Sequence, residues 1–77
     1  MENKMNDEVK VFFGSVCWFS KSFGFIKPDE GDKDIFVHFS DIASDGFRTL
    51  QKDQRVSYEL GLNKRGEIKG INVKVIG

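Results

Sequence analysis

Apolar residues in this chain alternate with a period of two in short runs, and Gly, Asp and Asn gather between the runs. Along Ser22–Lys27, SFGFIK, one parity carries Phe23 and Phe25 and the other carries Gly24 and Ile26. Along Asp34–Phe39, DIFVHF, Phe36 and His38 oppose Ile35, Val37 and Phe39. Alternation of this kind marks strands whose two faces meet different surroundings, and it does not suit a helix, whose faces repeat every three to four residues. The same reading over Val9–Phe19, Gln54–Leu62 and Glu67–Ile76 predicts five strands in all.

The connections set the topology. Only Ser20 and Lys21 separate the first two strands, PDEGDKD makes a longer acidic loop, and NKRGE joins the last two strands through Gly66, so all three read as hairpins. SDIASDGFRTLQKD, between strands three and four, is too long for a hairpin, so the chain crosses there to another part of the sheet. The fold class is all-β, a five-stranded antiparallel Greek-key barrel, whose closure removes the sheet edges that invite aggregation. The competing architecture is an open, sandwich-like sheet of the same strands.

With 77 residues the chain makes one small domain over residues 9–77, preceded by a polar, frayed extension over residues 1–8. A core of this size yields only about 3–5 kcal/mol of net stability, and it leaves no room for a large cleft. Lys plus Arg balance Asp plus Glu at twelve each, so nucleic acid or an acidic surface would have to be held by a local patch, not by the overall field. No run approaches the roughly 20 apolar residues of a membrane span, and the start lacks an apolar signal region, so a monomeric cytoplasmic protein with no membrane partner is expected. Cys17 is the only cysteine and His38 the only histidine, so no intrachain disulfide or thiolate–imidazole metal site is available, and neither metal nor cofactor is expected.

Ile26, Ile35 and Val37 need a core, and Val56, Tyr58, Leu60, Ile71 and Val73 supply matching inward positions on strands four and five. His38 marks the opposite face as the wetter one, which leaves Phe23, Phe25 and Phe36 side by side toward solvent. Phenylalanines in small β proteins are usually core. Here the aliphatic set already fills the small interior, and three more inward rings would overpack it at a cost of about 1–3 kcal/mol per misfit. An exposed apolar patch on so small a protein points to a binding surface. Parity turns Phe39 inward, but its place at a strand end leaves it open. Trp18 shares parity with Val16 and is buried unless a bulge re-aims it. Gly24 either lets the sheet coil tightly or is a simple strand kink.

Rings on a rigid sheet among basic residues suit unpaired bases, each stack being worth about 1–3 kcal/mol, whereas a duplex hides its base faces. Lys10, Lys21, Lys27, Arg48 and Arg65 are candidate phosphate partners. His38 either stacks on or donates to a base, or is an ordinary surface histidine. DEGDKD lacks the spacing and trailing Glu of a calcium loop, and no nucleophile and base stand at a recognisable spacing, so no catalytic residue is expected. The rival reading is a protein-binding adaptor using the same rings without need of a basic rim.

The segments SFGFI and FVHF, ten residues apart, with VCWFS before them and SDGFRTL after, resemble the bacterial cold-shock domain family over about Gly14–Val75. The resemblance implies an OB-type barrel that binds single-stranded RNA or DNA with a pyrimidine-rich preference and acts as an RNA chaperone or antiterminator. Carried over by position, it implies that Trp18, Phe19, Phe23, Phe25, Phe36, His38, Phe39 and Phe47 face the ligand, with Lys21 and Arg65 nearby. The chain departs from the family's pattern at Cys17, where a lysine is usual, in a shorter first hairpin, and in a last hairpin that lacks the usual proline.

Overall fold

The structure of this chain, a computed structural model, describes residues 10–43 and 48–77. Five strands form within them: β1 Phe12–Phe19, β2 Phe23–Pro28, β3 Ile35–His38, β4 Arg55–Leu62 and β5 Ile68–Val75. Each lies inside its expected span, except that β2 runs one residue further, to Pro28. The extension expected over residues 1–8 falls outside the described residues.

The strands close into a barrel in the order β1-β2-β3-β5-β4, which excludes the open sheet. All neighbours are antiparallel except β3 and β5, which meet in parallel at Phe36 and Lys69. That parallel contact follows from the long connection after β3. Its start is tied to β5 by the Ile42–Val73 bridge and by Ala43 N–H donating to the Val73 carbonyl at 2.8 Å. Its end is tied to β1, where Asp53 N–H donates to the Val16 carbonyl at 2.8 Å and Val16 N–H to that of Gln54 at 2.9 Å. The connection also supplies Ile42 and Leu50 to the core, beside Val16, Ile26, Val37, Val56, Tyr58 and Val73. Burying each aliphatic side chain stabilises the fold by about 1.5–3 kcal/mol before the entropy of ordering is set against it.

Two bulges re-aim what simple alternation predicts. In the β1–β2 ladder Val16 faces Ile26, but the next pair is Trp18 with Phe25, so Cys17 is an extra residue on β1. The bulged backbone lies against Gly24, where a Cβ would stand 2.2 Å from the Trp18 carbonyl oxygen and 2.7 Å from Phe19 Cα. Gly24 is therefore required by close approach of the neighbouring strand. In the β4–β5 ladder Ser57 faces Lys74 and Glu59 faces Ile71, which leaves one extra residue on β5. Asn72 there takes φ 49°, a left-handed conformation that Asn tolerates, and its Nδ2 donates to Glu59 Oε1 at 3.1 Å.

Two expected core positions are corrected, Ile71 by the second bulge and Leu60 by the length of β1. Ile71 turns to the outer face, where its side chain lies against Gly61, and Gly70 takes the inner position beside Val37, Ile35 and Tyr58. Leu60, opposite Gly70, keeps the inner side, but it lies beyond Tyr58, which faces Phe12 in the last described β1–β4 pair. With no β1 partner over it, Leu60 is 43% exposed.

The acidic loop contributes a strap across the barrel. Arg55 of β4 donates to both carboxylate oxygens of Asp29, at 2.7 and 2.6 Å, and also to Ser15 Oγ of β1 at 3.2 Å. The hydrogen bonds from Arg55 hold the Asp29 carboxyl below the usual carboxylate range, and those to Asp29 raise the Arg55 guanidinium.

Candidate nucleic-acid interface

Parity on β2 and β3 delivers Phe23, Phe25, Phe36 and His38 to the outer face, and the β1 bulge adds Trp18. Four of these rings form a closed circuit. Trp18 meets Phe23 edge-on with centroids 5.5 Å apart, and meets Phe25 at 5.5 Å. Phe36 lies 5.8 Å from each of Phe23 and Phe25. Such tilted and edge-to-face contacts are the favoured geometry of aromatic pairs, so the rings brace one another and keep their places without a ligand. Trp18 and Phe23 remain 45% and 39% exposed, while Phe25 and Phe36 are half-buried between them and the sheet.

His38 ends β3 opposite Phe23. Its Nδ1 accepts from the Ser40 N–H at 3.3 Å and lies 2.8 Å from Ser40 Oγ. Those contacts cap a 3-10 turn at Phe39–Asp41, which takes the chain out of strand alternation. Phe39, inward by parity, is for that reason 40% exposed, its ring 4.7 Å from that of His38. Two ties hold the turn. Phe39 N–H donates to the Ser22 carbonyl at 2.8 Å, and Lys69 Nζ pairs with Asp41 Oδ2 at 3.0 Å, both side chains largely shielded from solvent. Lys69 faces Phe36 across β3 and β5, so its charge is already matched beside the rings.

Of the basic candidates, Lys21 is exposed in the β1–β2 turn, next to the Ser22 that anchors Phe39. Lys27 is exposed and shares the β2 parity of Phe23 and Phe25. Lys10 instead lines a surface hollow with Val11, Phe13 and Glu30, away from the ring circuit. Arg48 is exposed beyond the 3-10 turn, beside Asp41, Ile71 and Asn72. Arg65 is exposed in the β4–β5 turn, where Asn63 Oδ1 accepts its backbone N–H at 2.8 Å.

Phe19 departs from the expected set. The bulge that sends Trp18 outward places Phe19 opposite Gly24, on the inner side, where it packs against the core. Phe47 lies outside the described residues. Cys17 is half-buried at the bulge; burial pushes its thiol up and the negative charge of Asp34 adds to the rise, so it stays protonated and weakly nucleophilic at neutral pH. Three residues that hold the interface were not anticipated. Ser40 had a local signal, a hydroxyl two residues after the histidine. The Asp41–Lys69 pair had none, because its partners are far apart along the chain.

A closed five-stranded barrel in this strand order, with one outer face of rings, defines an OB-type domain. Residues 12–76 match the family model described as "'Cold-shock' DNA-binding domain". The chain belongs to the cold-shock domain family. It is 53% identical over 55 residues to the cold shock-like protein CspE of Escherichia coli, covering 69% of this chain and 80% of that one. Against the probable cold shock protein A of Mycolicibacterium smegmatis the identity is 47% over 55 residues, covering 69% and 82%. Among solved structures, the Drosophila Unr CSD456 chain superposes with a TM-score of 0.77 at 16% identity; the match covers 95% of this chain and 29% of that longer one, and it speaks to the fold alone. Among the described residues, no helix is long and apolar enough to cross a membrane.

Proposed function

We propose that residues 9–77 act as one domain that binds unpaired segments of RNA or single-stranded DNA, stacking bases on Trp18, Phe23, Phe25, Phe36, His38 and Phe39. The observation that carries this reading is the braced circuit of four rings on the outside of a barrel whose interior is already filled. Phe47 is proposed as a further stacking ring, and Lys21, Lys27, Arg48 and Arg65 as phosphate partners. Phe19, partly buried against the core, supports the strand that presents Trp18.

Family membership supports the ligand class, and the geometry supports sequence tolerance, since every base has a face to stack. A pyrimidine-rich preference and a monomeric state go with this reading. A strand held with its bases on the sheet cannot pair with itself, so reversible capture of unpaired segments would act as an ATP-independent RNA chaperone or antiterminator. No catalytic step is needed. Titration with a short oligothymidine, read by Trp18 fluorescence and amide chemical shifts, tests it. Quenching at micromolar or lower concentration, with shifts on the ring face, is the expected result; silence would leave the rings to a protein partner.

A further inference from the structure

We infer that Ser40 is a positioning residue for His38, fixing its ring so that Nε2–H is presented as a donor to an acceptor on the edge of a bound base. This rests on the single-strand binding proposed above and names the polar contact within it. A backbone amide can only donate, so the 3.3 Å contact from Ser40 N–H requires the lone pair to be on Nδ1. The Ser40 hydroxyl, 2.8 Å from the same nitrogen, then donates as well. A neutral imidazole has one proton to place, so it sits on Nε2, the remaining polar atom of the ring.

The ring that carries this donor stands opposite Phe23 and 4.7 Å from Phe39. A base stacked in that company brings its edge, with carbonyl oxygens or ring nitrogens, to the height of the imidazole. A donor fixed beforehand makes the bond without first selecting a tautomer, which removes an ordering cost from binding.

His38 is the only histidine, so long-range nitrogen–proton correlation spectra read its tautomer without ambiguity. The expected spectrum has an unprotonated Nδ1 and a protonated Nε2 in the neutral ring. Ser40→Ala, which removes the shorter of the two donors and leaves the backbone N–H at 3.3 Å, should let the Nδ1–H tautomer into the mixture and weaken oligothymidine binding by up to about two-fold, the share of rings no longer presenting the donor. Ser40→Thr should restore both. In a His38→Ala background Ser40→Ala should change nothing further, and a strand of abasic deoxyribose phosphate should show no Ser40→Ala effect.

A spectrum with the proton on Nδ1, or an equal Ser40→Ala loss in the His38→Ala background, would overturn the inference while single-strand binding stood. An equal loss on the abasic strand would move the contact to phosphate and overturn it too. Absence of oligothymidine binding by the unchanged protein would remove the parent reading, and this inference with it.

Discussion

Trp18 stands opposite Phe25, not Gly24, because Cys17 is an unpaired extra residue between Val16 and Trp18. One inserted residue thus moves the chain's only tryptophan from the side of Val16 to the side of the phenylalanines. The space for this is found at Gly24, against which the β1 backbone rests.

Gly24→Ala should therefore disturb both packing and interface. A Cβ 2.2 Å from the Trp18 carbonyl oxygen forces β1 away, at a cost of about 1–3 kcal/mol. Urea unfolding measures the loss, and a changed Trp18 emission in the still folded protein reports the displaced ring.

Phe23→Ala and Ile26→Ala, three residues apart on β2, should separate binding from folding. Phe23 is partly in solvent and Ile26 wholly buried. The first substitution is expected to weaken oligothymidine binding by about 1–3 kcal/mol with little change in the unfolding midpoint. The second is expected to cost about 2–5 kcal/mol of stability and to leave the affinity of the folded fraction unchanged. An unfolded Phe23→Ala protein would contradict the outward assignment of that ring.

Binding should depend only modestly on salt. The chain carries no net charge and Lys69 is paired with Asp41, so the proposed binding should rest on stacking, with few phosphates neutralised. With roughly three or four phosphate contacts, log K should fall with log salt at a slope of about −2 to −3. A slope near −7, measured by fluorescence titration across salt concentrations, would mean a charge-driven interface instead.

The Asp29–Arg55 strap makes stability depend on acid. The folded-state pKa of Asp29 is depressed, so the contribution is present above the ordinary carboxylate pKa and is lost as pH falls through the lower folded value. Asp29→Asn should thus be less stable than the unchanged protein at neutral pH, the difference closing in strong acid. Paired urea curves across that range check the sign, and a gap that persisted there would assign the effect to packing.

Strand number, the long crossover and the outward parity of Phe23, Phe25 and Phe36 were legible in the sequence because each is written in local alternation or loop length. The barrel's departures from alternation were not. The position of Trp18 turns on a bulge whose cause lies on the neighbouring strand at Gly24, and that of Ile71 on a left-handed Asn72 in mid-strand. Leu60 follows its parity and is exposed only because β1 gives out above it, a fact of strand length. The surroundings of His38 and Phe39 depend on a 3-10 turn tied to β5 by Lys69, a contact between distant segments.

Alternate residues along β2 answer to different masters: Gly24 and Ile26 to the barrel, Phe23 and Phe25 to whatever lies on it. On the proposed reading, substitutions at the outward sites change recognition more than folding, while the inward sites stay under the demands of the core. Face and core share one strand, yet each can be altered with the other left in place.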